Sequence, residues 1–218
     1  MKEIRIFFRK CGRAKYISHL DLMRTMTRAV RRAGIPVWYT QGFNKHPYIT
    51  FAAPLSLGFE GLTESMDIKL IQDIGMEDIV ADMNSVLPSG IEVYSAAEPV
   101  MKAGDIEKAI YKLTFSIRLK DFAAFIEQDS ITAEKRTKKG GLRLIELKPF
   151  IEQANISENE DGSAVMEVTL PCGSTQTINP LLIVSVCNKF FADKGLQSHI
   201  FCDVLRLDLL DGQGNSFK

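Results

Sequence analysis

The loop from Gln41 to Tyr48 concentrates residue types that can do chemistry. It brings together an imidazole, an ammonium group, a carboxamide and aromatic rings, and Gly42 frees its backbone. His46 can pass protons near neutral pH, and the adjacent Lys45 can hold a phosphate or an oxyanion. A metal-independent endoribonuclease would need such a pair, which makes His46 the candidate catalytic residue. A loop that only binds anions would contain the same residues, so both interpretations stay open.

Basic residues are crowded into the first 50 positions. Residues 1–50 contain eleven Lys and Arg and two acidic residues, a net charge of +9, whereas the remaining 168 residues carry a net charge of −9. Such asymmetry usually means a partner of opposite sign, of which nucleic acid is the commonest. The alternatives are that the basic segment neutralises the acidic remainder of the molecule, or that it binds an acidic protein.

The first predicted strand places an aromatic ring between two guanidinium groups. Side chains alternate with a period of two over residues 3–9, so Arg5, Phe7 and Arg9 share one face. Single-stranded RNA binds such surfaces, because bases stack on the ring and phosphates bind the charges. The alternative is that another part of the chain, or another chain, covers this face.

The first predicted helix carries a second basic element. Ser18 and Asp21 form a capping box at its start, and Gly34 followed by Pro36 ends it. Three- and four-residue spacing predicts a core stripe of Leu20, Met23, Met26, Val30 and Ala33. The opposite side carries Arg24, Arg28, Arg31 and Arg32. Four like charges so close repel one another unless an anion or carboxylates face them, which favours a phosphate-binding role.

The order of elements predicts an α+β fold. The first half reads strand, helix, strand, strand, helix, strand, which is the βαββαβ order of a ferredoxin-like unit with an antiparallel sheet and helices on one face. Between these elements, residues 41–61 form a long irregular stretch, and loops of that length tend to be functional. The elements after the first strand and helix are predicted at Val37–Tyr39, Met66–Leu70, Met76–Leu87 and Ile91–Tyr94.

The second half approximates the first with extra strands. We therefore expect tandem ferredoxin-like units, an N-terminal unit at residues 1–98 with the basic surface and a C-terminal unit at residues 108–218. Its helices are predicted at Asp121–Gln128 and from Pro180, capped by Asn179, to Asp193. Its strands are predicted at Tyr111–Leu119, Ile131–Thr137, Leu142–Leu147, Ala164–Leu170 and Val204–Leu210, with a basic hairpin of Lys135, Arg136, Lys138, Lys139 and Arg143.

Composition and motif content exclude several classes of protein. With 218 residues, of which 45% are hydrophobic and 25% charged, the chain is neither fibrous nor disordered. The four cysteines form no C-x-x-C pair, and the three histidines are widely separated, so we expect free thiols and no metal site. No glycine motif for a nucleotide cofactor is present, and no cofactor is expected. Apolar stretches fall short of the roughly 20 residues that span a bilayer, which predicts a cytoplasmic protein without a membrane partner.

Three segments carry a resemblance to a known family. They are Lys15-Tyr16-Ile17-Ser18-His19-Leu20-Asp21-Leu22, Arg28-Ala29-Val30-Arg31-Arg32-Ala33-Gly34-Ile35-Pro36, and Gly42-Phe43-Asn44-Lys45-His46-Pro47 with Pro54-Leu55-Ser56-Leu57-Gly58. The chain resembles the radical-SAM-linked family, a bacterial domain found alone or fused behind radical S-adenosylmethionine (SAM) enzymes. The resemblance implies a functional link to a radical SAM enzyme. Lys45 departs from the proline that related sequences tend to have before the histidine.

These observations lead to one functional expectation and two alternatives. We expect a non-catalytic RNA-binding or substrate-presenting module that acts with a radical SAM enzyme in the modification of RNA or a ribonucleoprotein. The chain has no C-x-x-x-C-x-x-C motif to hold a radical-generating cluster of its own. The expected RNA contacts are Phe7 for base stacking, Asn44 and His46 for base or sugar, and Arg5, Arg9, Arg24, Arg28, Arg31 and Lys45 for phosphates. The alternatives are an endoribonuclease that uses His46 and a protein-interaction scaffold for the radical SAM partner.

Overall fold

The computed structural model describes residues 1–136, 140–196 and 199–218. In these ranges the protein is a mixed α+β chain with mostly antiparallel sheets and five α-helices. The strands are β1 (Lys2–Lys10), β2 (Ile49–Phe51), β3 (Glu60–Leu70), β4 (Ile91–Ala97), β5 (Lys108–Arg118), β6 (Thr132–Arg136), β7 (Leu142–Glu146), β8 (Asn155–Glu158), β9 (Ser163–Pro171) and β10 (Cys202–Leu210). The helices are α1 (His19–Arg32), α2 (Met76–Val86), α3 (Leu119–Ile126), α4 (Lys148–Glu152) and α5 (Leu181–Asp193). None of these helices has the length and apolar character to cross a membrane.

The chain divides into two compact units, and the boundary falls within β10. The first unit comprises Met1–Glu107 and Arg206–Lys218, and the second comprises Lys108–Leu205. The sequence-based division placed all of residues 108–218 in the second unit. The C-terminal stretch lies with the first unit because its side chains and backbone bond there. For example, the guanidinium of Arg206 pairs with the carboxylate of Glu64.

The sheet of the first unit is built around β1. β1 pairs antiparallel with β3 and β4, and β2 pairs antiparallel with β3. The predicted alternation is confirmed, because Ile4, Ile6 and Phe8 are fully buried against α1 and α2. The opposite face therefore carries Arg5, Phe7 and Arg9. The order along the sheet is β4-β1-β3-β10, with β10 contributing Arg206–Leu210.

Helix α1 begins where its capping residues predict. The Oγ atom of Ser18 accepts a hydrogen bond of 3.1 Å from the amide of Asp21. Met26 and Val30 are buried as expected, but Leu20 and Met23 are exposed and that part of the predicted stripe is wrong. Leu22 and Ala29 are buried instead. The predicted and the observed sets of buried residues both have helical spacing. The helix packs on the sheet through the set that contains Leu22 and Ala29.

The stretch of residues 41–61 is more ordered than its glycines and prolines predicted. It contains β2, and before β2 the chain forms a hairpin from Trp38 to Tyr48. In this hairpin the amide of Thr40 donates to the carbonyl of His46 over 2.9 Å, and the amide of Tyr48 donates to the carbonyl of Trp38 over 2.9 Å. The hairpin projects from the edge of β3, because the amide of Trp38 donates to the carbonyl of Lys69.

The second unit has the strand order β10-β5-β9-β8, and β6 and β7 form a separate antiparallel pair. The predicted strands and helices correspond to β5, β6, β7, β9, β10, α3 and α5, with ends that differ by up to three residues. The cap is confirmed, since the Oδ1 atom of Asn179 accepts from the amide of Leu181 over 2.9 Å. Helix α4 and strand β8 were not predicted. Thr137, the predicted last residue of the strand that corresponds to β6, and Lys138 and Lys139 of the basic hairpin lie outside the described residues.

Candidate functional site

Arg5 lies in the interior of the first unit, which corrects its assignment to an exposed surface. Its side chain is 1% exposed. The guanidinium donates to both carboxylate oxygens of Asp67 over 2.7 and 2.8 Å and to the carbonyls of Met101 and Lys218 over 2.9 and 3.0 Å. It also lies over the ring of Phe217, at 4.2 Å from the centroid. Four of its five N–H donors are thus occupied, and no phosphate can reach them.

Phe7 and Arg9 lie on the same face but near the surface. Phe7 is half-buried, and its ring centroid is 6.2 Å from that of Tyr94. Arg9 is exposed, with its guanidinium 5.2 Å from the Tyr94 ring centroid and 3.4 Å from a carboxylate oxygen of Glu92. Burial is the main cause that raises the pKa of Tyr94 above its ordinary value. This end of the face can stack a base, but its cation already faces a carboxylate.

The arginines of α1 are all exposed, as their spacing predicted, but they fall into two groups. Arg24 lies next to Asp21, with 3.1 Å between a guanidinium nitrogen and a carboxylate oxygen. Ser18 first and Arg24 second lower the pKa of that carboxyl. The other three, Arg28, Arg31 and Arg32, line a surface depression of about 480 Å³. We call it the arginine depression; its remaining lining residues are Thr25, Val86, Leu87 and Pro88.

The three guanidinium groups of the arginine depression differ in how they are held. The Nη2 atom of Arg32 donates to the carbonyl of Val86 at the end of α2, over 2.7 Å. Arg31 lies 5.6 Å from the ring centroid of Tyr39. The side chain of Arg28 makes no hydrogen bond or ion pair within the described ranges. All the lining residues belong to these ranges and none is acidic, so the depression carries uncompensated positive charge.

The hairpin from Trp38 to Tyr48 adjoins the arginine depression through Tyr39. Tyr39 forms an antiparallel bridge with Pro47, and its ring lies beside Arg31. Gly42 has a φ of 128°, a conformation that favours glycine, at the turn of the hairpin. The four exposed residues that follow this glycine are Phe43, Asn44, Lys45 and His46. An aromatic ring, an ammonium and an imidazole thus project together from one tip.

The ring of His46 is held by one nitrogen. Its Nδ1 atom lies 3.0 Å from the carbonyl oxygen of Asn44 and 3.2 Å from Oγ1 of Thr40. A carbonyl oxygen can only accept, so Nδ1 is the donor to Asn44, and in the neutral form of the ring Nε2 then has the free lone pair. Neither group that holds the ring is a general acid or base at neutral pH. This geometry suits hydrogen bonding to a base, a sugar or a phosphate.

A buried ionic cluster in the same unit was not predicted from the sequence. Arg206 donates through Nε to Oε1 of Glu64 over 2.9 Å and through Nη2 to Oε2 of Glu64 and to the carbonyl of Ala53. Lys10 is also buried, and desolvation is the main cause that lowers its pKa. Gly61 makes room for the cluster, because a Cβ atom there would lie 2.2 Å from Oε1 of Glu64. The cluster belongs to the interior rather than to the exposed site.

The structure brings part of the predicted set together and separates the rest. Arg28 and Arg31 line the same depression, and Tyr39 of the hairpin lies beside Arg31. Arg24 and Arg9 face carboxylates, and Arg5 is buried. The residues missed by sequence reasoning are Thr25, Tyr39, Val86, Leu87 and Pro88. For Val86, Leu87 and Pro88 the sequence offered one signal, two apolar residues followed by a proline at the end of the predicted second helix. Only the packing of that helix end beside α1 makes them part of the site.

The fold and the site define a mixed α+β protein whose first unit presents an arginine depression beside a basic, aromatic hairpin. Residues 3–180 match the model of the family described as "Uncharacterized protein conserved in bacteria (DUF2344)", and the chain belongs to this family. A search of curated proteins found no match. Among solved structures, the chain is similar to the "Crystal Structure of an Unknown Protein from Galdieria sulphuraria". That likeness has 12% identity and a TM-score of 0.26 and covers 94% of this chain and 98% of that one.

Proposed function

We propose that this protein is a non-catalytic module that binds single-stranded RNA, or presents an RNA substrate, through its first unit. The observation that carries the proposal is the arginine depression, in which Arg28, Arg31 and Arg32 face no carboxylate among its lining residues. Uncompensated guanidinium groups at a surface attract phosphates, and Arg binds them with two parallel hydrogen bonds.

The hairpin tip supports the same proposal. Phe43 is fully exposed, and an exposed ring can stack a base for about 1–3 kcal/mol. Lys45 adds a phosphate contact, and Asn44 and His46 can bond to a base or a sugar. Because Tyr39 joins the hairpin to Arg31, one strand of RNA can follow both elements.

The architecture supports a finer proposal about the fold. The strand orders β4-β1-β3-β2 and β10-β5-β9-β8 both fit a ferredoxin-like βαββαβ unit, in the second case with β6, β7 and α4 inserted. We infer tandem ferredoxin-like units on this basis.

We also propose that the module acts with a radical SAM enzyme, which the resemblance of residues 15–58 to the radical-SAM-linked family supports. Co-purification of the two proteins from a co-expressing strain, after nuclease treatment, is the expected result. Separation of the two proteins under these conditions, at low salt, would contradict a direct complex.

Binding of a fluorescent single-stranded RNA, followed by anisotropy between 50 and 200 mM salt, tests RNA binding. Arg28, Arg31 and Lys45 are the three cations expected to contact phosphates, which gives a log–log slope on the order of −2. The variant Arg28→Glu with Arg31→Glu should abolish binding. Arg24→Glu is the matched control, since Arg24 lies on the same helix but faces Asp21. Affinity that does not change with salt, or that both variants reduce equally, would reject the proposal.

One observation favours a second function, an endoribonuclease. The contact of Nδ1 of His46 with the carbonyl of Asn44 leaves Nε2 free of protein partners, so in the neutral form of the ring Nε2 can accept a proton from a ribose hydroxyl. Incubation of mixed RNA with the protein in EDTA tests it. Cleavage that His46→Ala removes while binding persists would support the enzyme, and intact RNA would eliminate it.

A further inference from the structure

We propose that the arginine depression is a subsite for a terminal phosphorylated nucleotide, with the phosphate on Arg28 and Arg31 and the base or sugar on the apolar wall. This inference rests on the proposed function and names which part of an RNA the depression takes. It differs from general RNA binding because it requires a chain end.

The lining of the arginine depression is divided into a basic wall and an apolar wall. One wall consists of side chains from α1, namely Thr25 and the three arginines, and the other consists of Val86, Leu87 and Pro88 at the end of α2. An inorganic anion would gain nothing from the apolar wall, and an apolar ligand would gain nothing from the guanidinium groups. A nucleotide has both a phosphate and a flat ring with apolar faces.

Two of the three arginines of the depression are placed to bind one phosphate. Arg28 and Arg31 are three residues apart on a helix, a spacing at which side chains are neighbours and can reach one phosphate. Thr25 lies three residues before Arg28 and adds a hydroxyl donor. Arg32 is engaged with the carbonyl of Val86, where it offsets the negative end of the α2 dipole. Two guanidinium groups are therefore left for the ligand.

The two free guanidinium groups favour a ligand of high negative charge density. A terminal phosphate carries close to two negative charges at neutral pH, whereas a phosphodiester within the chain carries one. Arg28 and Arg31 therefore gain more from a terminal phosphate than from an internal one. The volume of about 480 Å³ is in the range of roughly 300–1,000 Å³ that small-ligand sites occupy.

The test compares one short RNA with a 5′-phosphate, a 3′-phosphate or hydroxyls at both ends, by anisotropy at fixed salt. One phosphorylated form should bind roughly tenfold tighter or better than the hydroxyl form. Arg28→Gln should remove this advantage, and the matched control Arg24→Gln should keep it. Equal binding of all three RNAs would overturn the subsite and leave the proposed RNA binding intact.

Titrations with AMP and with inorganic phosphate show whether the depression binds a nucleotide or only a phosphate. AMP should bind more tightly than phosphate, because only AMP contacts Leu87 and Pro88, and Arg28→Gln should weaken AMP binding. If no RNA binds, the proposed function fails, but AMP binding that depends on Arg28 would keep the depression as a site for a free nucleotide. Phosphate that binds as well as AMP, or no binding of either, would overturn the inference.

Discussion

Replacement of Arg5 by alanine is expected to destabilise the first unit without weakening RNA binding by the folded protein. The side chain is 1% exposed and donates two hydrogen bonds to Asp67 and two to backbone carbonyls. In Arg5→Ala the carboxylate of Asp67, whose side chain is 13% exposed, loses its counter-charge. The carbonyls of Met101 and Lys218 lose their donor as well.

The magnitude follows from the burial of the pair. Removing one partner of a buried ion pair costs about 3–5 kcal/mol, because the other charge stays in a poorly solvated place. With a urea dependence of about 2 kcal/mol per molar, the unfolding midpoint should fall by roughly 1.5–2.5 M. Arg5→Lys keeps the charge but cannot bond both carboxylate oxygens, so its midpoint should lie between those of Arg5→Ala and the wild type.

Tryptophan fluorescence measures this change in the right unit. Trp38 is the single tryptophan of the chain and lies in the first unit. RNA affinity, measured under conditions where the variant is folded, should match that of the wild type. A wild-type midpoint in Arg5→Ala would refute a stabilising role for the Arg5–Asp67 pair, and a loss of RNA affinity by the folded variant would refute the exclusion of Arg5 from the RNA contacts.

Three further variants or measurements test other parts of the structure. Burial lowers the pKa of Lys10 from 10.5, so the folded state binds its proton less tightly than the unfolded state does. The free energy of unfolding of the wild type should therefore rise with pH toward 10.5, relative to that of Lys10→Met. A constant difference between the urea midpoints of the two proteins from about pH 7 to 10 would contradict this. Burial raises the pKa of the Cys187 and Cys202 thiols to about 12. Neither thiol should therefore react with iodoacetamide at about pH 8 until urea is added. Adducts on either cysteine of the native protein, detected by mass spectrometry, would contradict this. The hydroxyl of Ser18 is the first cause that lowers the pKa of Asp21, so Ser18→Ala should raise it in an NMR titration. Because the pKa of Asp21 is lowered from 3.8, its stabilising contribution is present above that pH and is lost as the pH falls through the folded value. An unchanged titration in Ser18→Ala would contradict the hydrogen bond that the Ser18 hydroxyl donates to the Asp21 carboxylate.

Several features could be predicted from the sequence because they depend on interactions between residues that are close in the chain. The period of two over residues 3–9 identified the buried face of β1, because neighbours in a strand must point to opposite sides. Ser18 and Asn179 marked the starts of two helices, since their side-chain oxygens satisfy amides that the helix leaves unpaired. Arg24, Arg28, Arg31 and Arg32 were correctly placed on the solvent side of α1.

Other features depended on residues far apart in the chain. The alternation placed Arg5 on the face opposite the core but did not show whether that face is exposed to solvent. Arg5 is buried there because it bonds to Asp67, Met101 and Lys218, which are 62, 96 and 213 residues away. The depression likewise needs the end of α2 beside α1, and the buried cluster needs Arg206 beside Glu64, 142 residues apart. Period and capping residues report only on neighbours along the chain, so they indicate which way a side chain points. Only the tertiary structure determines what that side chain meets, because burial and ion pairing arise from segments that packing brings together.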